Sequence, residues 1–548
     1  MDLPKKKGFQ QRWLVPAGLT LLLLLLSWLP YQMAQQAARP GTFFSGSLMN
    51  PEDSQSYFAK IVQGYHGHWL YTIPFTPEAH EPAFVGGFYL LLGHLARWLQ
   101  LSPMAIWHLA RLLAIPLLAG SVYWFIGRFV SGREQQTITF ILALTGSGLG
   151  WLLFLIGQSY WLNTFPVDFK MAEAHLFFTI LTFPHVIFGT ALLILAIGQL
   201  GKAEPTPAGI IFQSLLNLAI AIVYPFLIYL VLLIAALHFI IGRQSPFFSR
   251  QTVSQAILAA LPFGFVAPLL VYYAWVLAHN PVFAAWDSQA ATLSPPWPHY
   301  LVAYGPMLLL ALPFLARRPQ PAGYKLLWLW LLAVGLLVYA PLNPQRRFVQ
   351  GVQLPLSILA VTSLYQIILP RLAASRWFRW LAARPGYSPA GLQRFLLFQL
   401  LLFMALSNVY VITSMFITAT AQQPDLLFRP EAEQMAVDWL RHNTGREQII
   451  LAAYQSGNYI AAQTANPVFI GHWAETMAFS QKQQEINQFF SNQVDNNWRQ
   501  AFFHRYNIGY LWYGPCEQQL GAFIPEQLPN LTPVFSYATI TIYANNRT

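Results

Sequence analysis

Between residues 83 and 418 the chain repeats one arrangement, an apolar run of spanning length followed by a short stretch that often holds Lys or Arg. The runs fall near 83–100, 104–127, 136–157, 175–199, 206–223, 225–241, 252–278, 299–316, 326–341, 349–370 and 392–418. About 20 consecutive apolar residues in a helix cover the hydrocarbon core of a bilayer. An earlier run at 13–31 follows Lys5, Lys6, Lys7 and Arg12, and its length fits a retained signal anchor better than a cleaved leader. Composition agrees: 55% of residues are hydrophobic and 9% are charged, whereas a soluble domain carries roughly 25% charged residues. The pattern predicts an α-helical polytopic membrane protein with about 11 spans. Internal Pro and Gly do not disqualify a run, because neighbouring helices re-satisfy the backbone in a bundle.

The net charge of +11 is distributed between apolar runs and not gathered on one water-facing patch, so nucleic acid is not an expected partner. Lys and Arg stay on the cytoplasmic side of short loops. Arg128 with Arg133, Lys202, Arg243 with Arg250, Arg317 with Arg318 and Lys325, and the group Arg371, Arg376, Arg379, Arg384 and Arg394 mark five inside loops. This holds if 83–128 crosses once in net, with one of its two runs interfacial or re-entrant. The N-terminus is then cytoplasmic. Glu52, Asp53, Glu78, Glu81, Asp168, Glu173 and Asp287 fall on the outside.

From about residue 420 the balance shifts to acids and no spanning run follows. The chain divides by this reading into a membrane body, 1–419, with an outer loop at 34–82, and a small extracytoplasmic α/β domain, 420–548. Pro430-Glu431-Ala-Glu433 suits the first turn of a helix, with Met435, Ala436, Trp439 and Leu440 as its amphipathic face. Strand-like runs lie at 448–453, 467–471, 508–513, 533–537 and 539–544. One cysteine, Cys516, excludes an intramolecular disulfide.

Five groups of residues could carry chemistry. Asn50-Pro51-Glu52-Asp53 in the first outer loop offers adjacent carboxylates as a general base or cation site, and equally a helix start with Asn50 as cap. The second outer loop brings Asp168, Lys170, Glu173 and His175 to where the chain re-enters apolar sequence. Gln345-Arg346-Arg347-Phe348 places two arginines on the outer side against the positive-inside preference, as phosphate ligands or as headgroup anchors. His66, His68 and His80 alternate with aromatics, a pattern more common in packing than in metal sites. In the last 130 residues or so, counted on the same reading, His472 and Glu475 could line a ligand surface or serve an ordinary turn.

Taken together, these features resemble the C-type (GT-C) polytopic glycosyltransferases, especially bacterial relatives of the protein O-mannosyltransferases and aminoarabinose transferases. The resemblance rests on the anchor run, on Glu52-Asp53 with Tyr57 and on the 82–89 approach to apolar sequence. It also rests on His108-Leu-Ala-Arg111-Leu-Leu, the second acidic loop, Gln345-Arg346-Arg347-Phe348 and the C-terminal region. It implies inverting transfer of a sugar from a polyprenyl-phosphate donor to a lipid, glycan or protein acceptor at the outer face of the plasma membrane. Asp53 would be the catalytic base, with Glu52 the alternative because the pair reads Glu-Asp where relatives often read Asp-Glu. Asp168 or Glu173 would help position acceptor or metal, alongside Lys170 and His175, and Arg346 with Arg347 would meet the carrier phosphate. No cofactor is required by these residues, and a divalent metal is left open. A lipid-linked donor also accounts for the lack of a nucleotide-binding glycine loop.

A transporter or lipid flippase is the competing class, yet no internal symmetry is visible and most acids lie in loops. A catalytically inert membrane scaffold is a third.

Overall fold

The computed structural model describes residues 6–201, 206–242, 246, 249–317 and 321–546. Lys5, Lys202, Arg243 and Arg318 lie outside the described residues. Contacts divide the chain into two compact units, one of residues 1–29, 111–269 and 292–415, the other of 30–110, 270–291 and 416–548.

Among the described residues, five helices are long and apolar enough to cross a membrane: Trp13–Ala37, Pro103–Ile126, Arg250–His279, Pro298–Leu315 and Gln345–Ala373. Helices Pro389–Met404 and Leu406–Gln422, bent by 48°, make a sixth if they form one span, and Pro184–Leu200, Pro207–Val223, Leu227–Gly242 and Lys325–Leu337 are shorter apolar helices. The chain is thus mostly helical and has the makings of a multi-pass membrane protein. Several expected runs are interrupted helices, which hydropathy alone reads as continuous. Gly146, Ser147 and Gly148 divide 136–157 into helices Arg133–Thr145 and Gly150–Leu155, and Pro184 ends Leu176–Leu181. The run at 83–100 is a helix of 13 residues, Gly87–Leu99, roughly 20 Å long and short of a bilayer core.

The first unit is organised around helix Gln353–Ser363, every residue of which is buried. Gln353, Ser357 and Thr362 of this helix find hydrogen-bond partners within the protein, as an apolar setting demands, while Ser363 Oγ has none among the described residues. Gln353 donates to the Gly146 carbonyl at 2.7 Å and accepts from the Leu176 N–H at 2.7 Å. Gln350 donates to Thr190 at 2.6 Å and Thr179 at 3.2 Å. Arg111, fully buried, donates to the Ser27 hydroxyl and, at 3.0 Å, to its carbonyl.

In the second unit, helix Pro51–Tyr65 crosses helix Gly87–Leu99 at Gly64 and Gly93. A Cβ on Gly64 would lie 2.2 Å from the Leu90 carbonyl oxygen, and one on Gly93 would lie 2.2 Å from that of Ile61. Only glycine allows these backbones so close. Strand β1 (Thr42–Phe44) pairs antiparallel with β2 (Phe428–Pro430). Strands β3 (Ile449–Leu451), β4 (Ile508–Tyr513), β5 (Leu531–Tyr537) and β6 (Ile540–Asn545) form a sheet in the order β3-β4-β6-β5, with β3 and β4 parallel and the other pairs antiparallel. Leu451, Phe469, Ile486, Phe489, Ile508 and Leu511 fill its core. The expected strand at 467–471 contributes a single bridge, Ile450 to Val468. Helix Glu431–Asn443 begins one residue after Pro430, buries Ala436 and Leu440, and leaves Met435 exposed.

Candidate active site

Helix Pro51–Tyr65 carries Glu52 and Asp53 in its first turn, where carboxylates meet the positive end of the helix dipole. Asn50 stands in the cap position but at φ 44°, and its side chain makes no cap hydrogen bond. The two acids have different partners. The Tyr454 hydroxyl hydrogen-bonds the Glu52 carboxylate, while Asp53 Oδ1 lies 3.2 Å from His472 Nε2. Asp53 keeps 42% of its side chain exposed, so it remains accessible to a hydroxyl arriving from solvent.

Two turns along the same helix, Lys60 Nζ meets Glu475 Oε1 at 2.8 Å, and both side chains are almost wholly buried. Ser56 donates to the same oxygen, Tyr71 donates to Oε2 at 2.6 Å, and Lys60 also donates to Ser56 Oγ at 2.8 Å. Burial pushes the Lys60 ammonium below its ordinary value although Glu475 opposes the shift. On Glu475, burial acts upward, but Lys60, His472 and the hydrogen bonds from Lys60 and Ser56 outweigh it and hold the carboxyl below the usual range. The group ties the Asp53 helix to the segment bearing His472. Its parts are 415 residues apart, a separation no local pattern signals.

The acidic loop holding Asp168, Lys170, Glu173 and His175 and the arginine pair are both in the first unit. Asp168 is enclosed: Oδ2 accepts from the Gly150 N–H at 3.0 Å and from Ser407 Oγ at 2.7 Å, and Oδ1 faces His175 Nε2 at 3.4 Å. With the carboxylate sealed by these groups, Asp168 fastens the loop. A Cβ on Gly150 would lie 2.9 Å from its carboxyl carbon. Lys170 is exposed and donates to Thr164 at 3.0 Å, apart from this cluster. His175 packs against the Tyr304 ring at 5.4 Å.

Glu173 instead joins the arginines through tyrosine. The Tyr224 hydroxyl donates to Glu173 Oε1 at 3.3 Å and accepts from Arg347 Nη1 at 3.0 Å. Arg347 Nε donates to Thr292 Oγ1 at 3.2 Å, and its guanidinium lies over the Tyr224 and Phe226 rings at 5.6 and 5.2 Å. Arg346 is held by its backbone N–H, 3.0 Å from the Thr292 carbonyl. Its Nε is buried and has no hydrogen-bond partner among the described residues. Such a donor calls for an acceptor. Tyr224 was not singled out in the sequence because it carries no charge; the only local signal is Pro225, which breaks the apolar run there.

No three His, Cys, Asp or Glu side chains converge as metal ligands among the described residues. Asp53 with His472 supplies two donors on one side.

Solved structures share this architecture. ArnT of Cupriavidus metallidurans, an aminoarabinose transferase bound to undecaprenyl phosphate, matches over 96% of this chain and 98% of its own, at a TM-score of 0.52 and 10% identity. The oligosaccharyltransferase of Archaeoglobus fulgidus matches over 92% of this chain and 70% of its own, at a TM-score of 0.50 and 12% identity. The chain has the GT-C fold. No family model and no curated protein matches it by sequence. At this identity the GT-C likeness establishes architecture, and the chemistry must be argued from the residues themselves.

Proposed function

We propose that the chain is an inverting glycosyltransferase of the outer membrane face, moving a sugar from a polyprenyl-phosphate carrier to a hydroxyl of a lipid, glycan or protein. The carrying observation is the array of Glu173, Tyr224 and Arg347, beside which Arg346 presents a buried donor without a partner among the described residues. A guanidinium fixed by neighbours is suited to a phosphate, because its planar donor fork needs no reordering as charge develops. In the reaction, the acceptor oxygen attacks the anomeric carbon and the bond to the carrier phosphate breaks. The sequence resemblance assigns the acceptor proton to the carboxylate of Asp53 and the phosphate anion of the departing carrier to Arg346 and Arg347. His472 orients Asp53 through the 3.2 Å contact. Glu52, tied to Tyr454, is the weaker base candidate, and Asp168 acts only in holding the loop. Residues 34–82 and 420–548 are assigned to the outer side and the N-terminus to the cytoplasm, on the distribution of Lys and Arg.

Purified protein in vesicles, supplied with polyprenyl-phosphate sugars and a mixture of lipid and glycan acceptors, should release free polyprenyl phosphate in step with new glycoside. Movement of the lipid between leaflets without its consumption would mean a flippase and would reject the proposal.

A further inference from the structure

Helix Gly87–Leu99 buries Tyr89, Leu90, Leu92, Gly93 and Ala96. Its opposite stripe, Leu91, Leu95 and Trp98, is exposed, Trp98 by 78%. Residues at i, i+4 and i+7 form one face, so this helix has a second apolar face that the described residues leave exposed. Trp69 and Leu70, from the preceding loop, are also exposed. Trp69 stacks on His94 of the helix at 3.9 Å, and His94 Nε2 lies 3.1 Å from the His68 carbonyl.

Cations gather beside these residues. Arg446 Nη1 lies 3.2 Å from His68 Nε2, and a Cβ on Gly67 would lie 2.9 Å from Arg97 Nη1. Burial, then Arg446, His68, Arg441 and Arg97, hold the His66 imidazole below its ordinary value. Asp438 pairs with Arg441 at 2.8 Å. Among the described residues neither Arg97 nor Arg446 has an ion-pair partner.

Chain connectivity says what covers the face. Only Gln100, Leu101 and Ser102 separate Leu99 from the membrane-length helix Pro103–Ile126. Three residues reach roughly 10 Å, so the end of the helix stays at the bilayer boundary. We infer that this face docks on the leaflet surface, Leu91, Leu95 and Trp98 entering the interfacial layer while Arg97 and Arg446, with His66 and His68, contact the phosphates of anionic phospholipids. Amphipathic helices with Trp and Leu on one side and cations at the rim bind in this way. Helix Pro51–Tyr65, which crosses this one at Gly64 and Gly93, carries Asp53, so docking would also set the depth of that carboxylate.

The test uses the full chain with Cys516→Ser and a nitroxide on Leu95→Cys, in vesicles of phosphatidylcholine with and without phosphatidylglycerol. In phosphatidylglycerol the label should be reached by lipid-soluble oxygen and shielded from a water-soluble nickel complex. Arg97→Gln and Arg446→Gln should each lower the docked-to-undocked ratio about fivefold there and change little in phosphatidylcholine alone. The comparison of the two lipids needs no arginine variant, so a variant that fails to fold does not blunt it. A label open to nickel in both vesicles would overturn the inference. Equal shielding in both would remove the headgroup contact, and displacement by inorganic phosphate at matched ionic strength would reassign the cations to a free anion.

Discussion

Replacing Lys60 with Met keeps the length and apolar stem of the side chain and deletes its charge. Glu475 then stays enclosed with only Ser56 and Tyr71 to donate to it, since its side chain is 2% exposed. Removing one partner of a buried pair costs about 3–5 kcal/mol, whereas replacing both by apolar groups of similar volume is often neutral. For a unit of this size, about 2–4 °C per kcal/mol converts the loss into a fall in melting temperature of roughly 6–20 °C. The double variant Lys60→Met/Glu475→Leu should recover most of it. The pH dependence should also change sign. In the parent, the Glu475 carboxyl is held below its ordinary range, so its stabilisation is present above that range and is lost as pH falls through the lowered value. In Lys60→Met the leading contribution is burial, which raises the carboxyl, so the variant should gain stability as pH falls toward the ordinary carboxylate value and lose it as pH rises. Thermal unfolding in detergent between about pH 4 and 8, a window that brackets a shifted carboxylate, reads both effects. A single variant no less stable than the double, with the parent's pH dependence, would refute this.

Arg346→Lys and Arg347→Lys keep charge but lose the planar fork, so at least one should raise the apparent KM for a polyprenyl-phosphate sugar or lower turnover with membrane insertion unchanged; parental rates in both, and in both Ala variants, would make the arginines headgroup anchors. Gly64→Ala should destabilise the pair of helices beyond the few tenths of a kcal/mol of an ordinary surface change, because its Cβ would lie 2.2 Å from the Leu90 carbonyl oxygen; an unchanged melting curve would contradict that packing. Cysteines placed at the exposed positions Glu81 and Arg505 in a Cys516→Ser background should both label with an impermeant thiol reagent in intact cells, and protection of both would reverse the proposed topology. The native thiol is a poor probe, since burial and then Glu517 push it up to about 11.

Local patterns made much of this legible. The stretch 508–513 reads as a strand because it is a short run rich in Ile, Tyr and Trp, which suit a pleated surface, and it forms β4 over those residues. The helix beginning at Pro51 was also readable, although Asn50 reaches the cap position by a left-handed backbone and not by a side-chain bond. Apolar runs marked the membrane-length helices but not the interruptions of other runs, because Gly146 and Pro184 change backbone geometry with little change in hydropathy. Among the site residues, charge drew attention to Asp53, Glu173, Arg346 and Arg347. It drew equal attention to Asp168, whose enclosure depends on Gly150 and the distant Ser407. Tyr224 and the Lys60–Glu475 group stayed hidden because their roles come from partners far away in sequence, one a neutral hydroxyl and the other a buried pair.

The central claim is that a sugar leaves a lipid phosphate while Asp53 takes the acceptor proton. Asp53→Asn keeps the shape and the contact with His472 but cannot accept that proton. Sugar transfer from a polyprenyl-phosphate donor, measured with purified variant in vesicles, should fall by ~10² or more while the melting temperature stays within a degree or so of the parent, as expected for a substitution at a half-exposed position, and Glu52→Gln should do less. Transfer by Asp53→Asn at the parental rate would contradict the account.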